Sequence, residues 1–229
     1  MIPIRDDAPH YATPWVNYFL IALNTLVFLL ELMMGPHALN ALLLSFGLVP
    51  ANLAAALRAG AYAAALLPFL TSMFMHAGWL HIIFNMWWLW IFGDNVEDWL
   101  GHFRYLLFYF LSGLGASLVH ILFNLGSQVP SVGASGAIAG VMGAYFLLFP
   151  SARVLTFIFV FFTWLPAWLI LGYWFVLQFL SGAATSITSR EASIGGTAFW
   201  AHVGGFLTGV IMIKLFPRRA PRYRFTAWQ

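Results

Sequence analysis

SVGASGAIAG, residues 131–140, places a single serine among glycines and alanines at the start of an apolar run. The same letters in a soluble protein could form a flexible loop, so the composition of the whole chain decides their meaning. Of 229 residues, 62% are hydrophobic and only 7% are charged, against roughly 25% charged in a soluble domain. We therefore expect an integral membrane protein in which this stretch opens a membrane helix.

The remaining composition excludes several classes of function. The chain has no cysteine, so it has neither a disulfide framework nor a cysteine-based metal site. The net charge of +3 is concentrated near the C-terminus, where it indicates a cytoplasmic anchor and not nucleic-acid binding. The first residues contain acids and prolines where a signal peptide would be basic, so we expect the first apolar run to be retained.

Apolar runs of about 20 residues predict membrane helices, because backbone polar groups in hydrocarbon need internal partners. Six runs are found, at residues 14–34, 79–92, 104–124, 133–150, 166–180 and 199–216. The second, fourth and fifth are short for a full crossing, which predicts that their ends lie inside protein below the membrane surface. The fold class predicted is an all-α polytopic membrane protein, a bundle of six transmembrane helices in one domain, 1–229.

Two further apolar stretches could be miscounted as spans. Residues 51–75 are interrupted by arginine, glycine and proline and are interpreted as interfacial or re-entrant; residues 154–164 are expected to lie along the interface before the fifth helix. With six spans and both termini cytoplasmic, eight of the ten Lys and Arg residues lie inside, leaving Arg58 and Arg190 outside. This distribution fits the positive-inside rule.

Strongly polar residues inside spans are functional candidates. His81 and Asn85 are four residues apart on one face near the outer end of the second helix. Ser135, at the start of the fourth helix, and His202, in the sixth, lie at a comparable depth. His120 and Asn124 repeat the His81–Asn85 spacing without another sign of function, so the spacing alone is weak.

Stripes of small residues predict that the fourth and sixth helices are in contact. One stripe consists of Gly136, Gly140 and Ala144, and the other of Ala201, Gly205 and Gly209. Small residues at four-residue spacing let helix backbones approach closely. If the stripes face each other, the serine and the histidine, each adjacent to its stripe, come within reach, and Gly133 lets the loop enter the helix sharply.

A serine beside a neutral histidine is a nucleophile with its general base. Ser135 would attack a carbonyl and His202 would take and return the proton. The oxyanion would be held by the Ser135 backbone N–H with His81 and Asn85 as further donors. The alternative is that each residue only packs or sits at the interface, and the coincidence of depth with two complementary stripes favours the catalytic interpretation.

Metal and aspartyl chemistry are not expected. The chain has no His-Glu-x-x-His run and no buried aspartate pair, so we predict a site without metal or cofactor. Glu97 is expected to organise the loop GDNVEDWLGHFR, residues 93–104, by pairing with Arg104.

Three separated motifs, HAGWLHIIFN (76–85), GASG (133–136) and AHVGG (201–205), resemble in this order the bacterial-type, six-span rhomboid intramembrane serine proteases. The resemblance covers roughly residues 70–216. It implies Ser135 as nucleophile, His202 as base in a dyad without an acid, and His81 with Asn85 in the oxyanion hole. It also implies a structural role for His76.

The same resemblance implies residues 36–75 as a partly embedded first loop and the fifth helix near lateral substrate access. The charge distribution predicts residues 1–13 as a cytoplasmic N-terminus and 217–229 as a basic cytoplasmic tail. The sequence departs from the family pattern at two places that would support the catalytic residues. Some rhomboids have a tyrosine beneath the catalytic histidine where this chain has Ala139, and the first loop lacks the Trp-Arg pair of some bacterial members.

The predicted function is therefore hydrolysis of peptide bonds in or near transmembrane segments of membrane-protein substrates, in a prokaryotic inner membrane, with the lipid bilayer as surroundings and no nucleic-acid partner. A non-catalytic rhomboid-like protein that binds or escorts transmembrane helices is the main alternative. A small-solute transporter fits less well, because the polar cluster lies toward one face and not at the midplane.

Overall fold

The structure, a computed structural model, describes residues 1–187 and 198–219. It is mostly helical, with one small sheet. The helices are α1 (Trp15–Leu32), α2 (Pro36–Phe46), α3 (Pro50–Arg58), α4 (Tyr62–Thr71), α5 (Trp79–Leu100), α6 (His102–Phe123), α7 (Ser135–Leu148), α8 (Ala167–Ile187) and α9 (Phe199–Met212), with a 3₁₀ turn at Ser72–Phe74. The strands are β1 (Ile2–Asp6), β2 (Arg153–Ile158) and β3 (Phe161–Pro166).

Among the described residues, three helices, α1, α6 and α8, are long and apolar enough to cross a membrane by length and composition. A fourth span arises if Tyr62–Phe74 and α5, which are bent by 80° at their junction, count as one broken span. The apolar helices α7 and α9 have 14 residues each, about 21 Å at 1.5 Å per residue. That is short of a hydrocarbon core of about 30 Å, so the six-span count stays a prediction.

The prediction that the second and fifth helices are short is wrong, because the polar residues taken as helix ends lie within α5 and α8. α5 continues to Leu100, and Asp98 in its last turn accepts the backbone N–H groups of Tyr11 and Ala12, at 3.0 and 3.1 Å. In α8 the hydroxyls of Thr185 and Ser186 bond to Gly182 O, at 2.8 and 3.0 Å, so these polar residues are satisfied within the helix. The short fourth helix is as expected.

Glu97 has different partners from the one predicted. Its carboxylate accepts the backbone N–H groups of Val16 and Asn17, at 3.0 and 2.7 Å, and it contacts the ring of His102. Arg104 instead donates to Pro217 O, at 3.2 Å. Glu97 is thus an N-terminal cap of α1, where free N–H groups and the helix dipole favour a carboxylate.

The all-α expectation needs correction for the segment 154–164, which forms most of an antiparallel hairpin of β2 and β3. Its run of valine, threonine, phenylalanine and tryptophan suits a strand. β1 adds to the hairpin from the far end of the sequence, with Ile2 opposite Phe157, to give the order β1-β2-β3.

β1 and the residues that follow it lie along α5 from its middle to its C-terminal part. Trp87 Nε1 donates to Pro3 O at 2.7 Å, and Asn95 Nδ2 donates to Ala8 O at 3.1 Å. Residues 1–13 therefore contact α5 at several points, and their cytoplasmic location stays a prediction.

The first loop, 36–75, is three short helices and a 3₁₀ turn. It holds the stretch before α7: Leu48 and Ser131 exchange two backbone hydrogen bonds of 3.0 and 2.8 Å, and Gly133 N–H donates to Ser72 O at 2.8 Å. These contacts fix the loop without the Trp-Arg pair that some bacterial relatives carry.

α7 is the centre of the bundle. Every residue from 136 to 145 is buried, and α5, α6, α8 and α9 surround the helix. A helix that is apolar and small all round suits such a place. Its first residue, Ser135, is half-buried at the start of this helix.

Candidate active site

The two small-residue stripes face each other across α7 and α9. A Cβ added to Gly205 would overlap the carbonyl of Gly136, and one added to Gly209 would overlap the backbone of Gly140. Only hydrogen atoms at these positions permit backbone contact this close.

This contact brings Ser135 and His202 together. Ser135 is the first residue of α7 and His202 the fourth of α9, and His202 Nε2 lies 2.8 Å from Ser135 Oγ. That distance is within the hydrogen-bond reach expected of a nucleophile and its general base. His202 is 9% exposed, so the ring is largely shielded while its Nε2 edge meets the serine.

Ser135 also presents a backbone donor. As the first residue of α7, it has an N–H for which the helix supplies no carbonyl, and the positive end of the helix dipole lies there. A negative charge forming beside Ser135 would be stabilised at this point.

His81 and Asn85 lie beside the turn that leads into α7. Gly133 has φ of 127°, a conformation that favours glycine, and a Cβ there would come within 2.7 Å of the His81 ring and 3.6 Å of Asn85 Nδ2. His81 Nδ1 accepts the N–H of Ala77 at 3.4 Å, which leaves Nε2 as the donor. Asn85 Nδ2 has no hydrogen-bond partner in the part of the chain described.

A cavity of about 680 Å³ joins these groups. All four predicted polar residues contribute to its wall, together with Trp88 of α5, Trp174 of α8 and the loop 127–132. Its volume is in the range of sites that enclose a small ligand, about 300–1,000 Å³. The site can therefore admit a short segment of peptide next to Ser135.

His120 and Asn124 also line this cavity, although their spacing alone had carried no weight. The sequence signal was present, but only the packing of α6 against α7 and α9 decides which side of α6 faces the site. Among residues 1–187 and 198–219, no three His, Asp or Glu side chains are grouped to hold a metal ion.

His76 is buried next to the site and makes no contact with Ser135. Its backbone N–H donates to Glu31 Oε2 at 3.1 Å, and its ring meets those of Phe28 and His81 edge to face, at centroid distances of 6.5 and 5.1 Å. It thus packs behind His81 and limits the positions of that ring.

The support of the His202 ring comes from α8, which sequence reasoning missed. Trp174 packs on the ring with centroids 5.6 Å apart and planes inclined by 34°, and His202 Nδ1 lies 2.7 Å from Gln178 Oε1. Ala139 instead packs against Gly205, 3.3 Å from the Cβ that an alanine would have there. The signal for Gln178 was its amide inside an apolar run, four residues after Trp174.

A family model described as Rhomboid domain matches residues 63–219. The chain is 33% identical over 144 residues to Rhomboid protein 1, mitochondrial, of Saccharomyces cerevisiae, covering 61% of this chain and 39% of that protein. It is 33% identical over 155 residues to Rhomboid-like protein 11, chloroplastic, of Arabidopsis thaliana, covering 66% and 52%.

A bacterial relative is similar over a shorter region. Rhomboid protease GluP of Bacillus subtilis is 36% identical over 131 residues, which cover 57% of this chain and 24% of the relative. The matches thus span between about a quarter and about a half of the length of these three proteins.

Proposed function

The chain belongs to the rhomboid family, and from that premise we propose that it is an intramembrane serine endopeptidase that cleaves peptide bonds in or near transmembrane segments of membrane proteins. The observation that carries the proposal is the 2.8 Å distance between Ser135 Oγ and His202 Nε2 at the wall of the cavity.

The proposed reaction uses groups already in contact. Ser135 Oγ attacks the scissile carbonyl carbon while His202 Nε2 takes its proton. When the tetrahedral intermediate collapses, the C–N bond breaks, His202 gives the proton to the leaving amine, and an acyl-enzyme on Ser135 remains. Water then attacks the ester, with His202 again accepting a proton and returning it to Ser135 Oγ.

The oxyanion formed in each half-reaction needs donors. The Ser135 backbone N–H, His81 Nε2 and the unpaired Asn85 Nδ2 surround the same turn. Donors aimed at the developing charge are typically worth about 10²–10³ in rate each. The buried Nδ2 group of Asn85, which has no partner among the described residues, supports this role, because a buried donor without a partner costs stability.

The proposed substrates are transmembrane segments with small or helix-breaking residues near the outer face. A helix hides its carbonyls in its own hydrogen bonds, so cleavage requires local unwinding. Such residues lower the cost of unwinding.

For the arrangement in the membrane we propose six spans with both termini cytoplasmic. α7 and α9 complete the count as short helices inside the bundle, where protein surrounds their ends. Relatives come from mitochondria, a chloroplast and a bacterium, so a prokaryotic inner membrane stays a prediction.

We expect a fluorophosphonate probe to label the purified protein at Ser135, because the probe reacts with an activated serine. Ser135→Ala should abolish both the labelling and the cleavage of a model single-span substrate, whereas Ser151→Ala, in the exposed turn after α7, should leave both unchanged. Labelling is read by mass spectrometry and cleavage by gel.

Cleavage that persists in Ser135→Ala would disprove the proposed nucleophile. Binding of many single-span proteins without labelling or turnover by the wild type would favour the non-catalytic alternative.

A further inference from the structure

His202 has two ring nitrogens, and the neutral ring carries a proton on one of them. As a general base toward Ser135 it must hold that proton on Nδ1, so that Nε2 has a free lone pair. What contacts Nδ1 therefore decides whether Nε2 can act as the base.

The group at Nδ1 is Gln178 Oε1, at 2.7 Å. A side-chain carbonyl accepts and cannot donate, so it favours the tautomer with the proton on Nδ1. The contact at the second ring nitrogen agrees with this tautomer, since Nε2 then accepts the Ser135 hydroxyl at 2.8 Å.

Both supports of the ring come from one helix. Trp174 and Gln178 are four residues apart, hence on one face of α8, and one packs on the ring while the other binds its nitrogen. Only 22% of the most apolar 18 residues of α8 are buried within the protein, against 28% in α1 and 44% in α6. The ring of His202 thus depends on the least buried of the three long apolar helices.

We propose that Gln178 is a positioning residue whose carbonyl holds His202 in the tautomer able to deprotonate Ser135, so that the dyad is competent only while α8 is seated against α9. The catalytic part of this inference rests on the proposed function. A displacement of α8 by about 1 Å would lengthen the 2.7 Å distance between Gln178 Oε1 and His202 Nδ1 beyond the hydrogen-bond range of about 3.2 Å. The proton on His202 would then no longer be held on Nδ1.

The test compares Gln178→Leu, which removes the acceptor at similar size, with Gln178→Glu, which keeps one. Val176→Ala, on the exposed side of α8, is the matched control. Gln178→Leu should lower kcat about 10- to 100-fold, the range found when a partner that orients a metal-bound histidine is lost, with KM little changed. Gln178→Glu should recover most of the rate, and the control should keep it.

A second readout does not need turnover. In protein labelled with ¹⁵N-histidine, the His202 signals, assigned by their absence in His202→Ala, should report a proton on Nδ1 in the wild type. They should report loss of that single tautomer in Gln178→Leu. This measurement tests Gln178 even if the protein proves not to be a protease.

An unchanged tautomer and an unchanged kcat in a folded Gln178→Leu protein would overturn the proposal. So would a Gln178→Glu variant that folds, as judged by its melting temperature, but is as slow as Gln178→Leu.

Discussion

Ser135 reaches His202 because its neighbours are small. Gly136 and Gly140 give α9 room at the backbone, and Gly133 turns the chain beneath His81. These residues were predictable, because small residues at four-residue spacing and polar groups at equal depth are properties of the sequence.

Gln178 was not predictable in the same way. Its amide lay in an apolar run, but which histidine nitrogen it meets depends on the rotation of α8 about its axis. That rotation is set by contacts such as those of Trp174 and Phe175 with Phe206. The sequence alone does not show which of the many possible aromatic contacts form.

Two adjacent acids outside the spans should respond oppositely to pH. Burial raises the pKa of Asp6, whose carboxylate accepts the hydroxyl of Tyr145. A raised pKa means that the stabilising contribution is present below the ordinary pKa and is lost as pH rises through the folded value. Asp6→Asn keeps an acceptor and should therefore melt above the wild type at pH 7, with the difference vanishing toward pH 4.

Asp7 is the control for this effect. The Arg153 backbone N–H, which donates to Oδ1 at 2.7 Å, and then the Arg153 guanidinium lower the pKa of Asp7. Its contribution is present above its ordinary pKa and lost as pH falls through the depressed value. Asp7→Asn should thus melt below the wild type at pH 7. If both variants shifted the melting temperature at pH 7 in the same direction, this assignment of the two pKa changes would be refuted.

At the scale of elements, the contact of α7 with α9 positions the dyad. Gly209→Ala adds a methyl group where the Gly140 backbone lies, so the helices must separate. Overpacking of this kind costs about 1–3 kcal/mol. We expect a lower melting temperature and at least a tenfold loss of fluorophosphonate labelling, because the shift changes the 2.8 Å contact of Ser135.

Gly172→Ala in α8 is the matched control for this substitution. Its new methyl group would meet only Phe146, at 3.8 Å, and alanine favours a helix over glycine by about 1 kcal/mol. Its stability should be equal or higher. Equal labelling of the Gly209→Ala and Gly172→Ala proteins would show that the close contact does not position Ser135.

Element boundaries were predicted least well, and for one physical reason. Acids and hydroxyls suggested helix ends, yet Glu97 binds the start of α1 and Ser186 bonds within α8. The sheet was missed because β1 pairs with a strand more than a hundred residues away, a separation at which local patterns carry no information.

At the scale of the whole molecule, the number and direction of spans can be tested directly. The chain has no cysteine, so single cysteines can be placed without background labelling. If both termini are cytoplasmic, Gly126→Cys, between α6 and α7, should react with an impermeant maleimide from outside. Ser151→Cys, between α7 and α8, should react only after the membrane is opened.

The reverse pattern would invert the orientation that the positive-inside rule predicts. Reaction of both cysteines from the same side would remove α7 as a crossing and leave fewer than six spans.

The pairing of β1 with β2 has a consequence for biosynthesis. Ile2 can pair with Phe157 only after Phe157 has been synthesised. At about 5–20 residues per second, a ribosome needs roughly 8–30 s to make the residues between them. During that time the edge of β1 has no strand to pair with, although Asn95 and Glu97 can already hold residues 8–17 on α5. A nascent chain stalled before the hairpin would present an open strand edge to insertion factors and quality-control proteases.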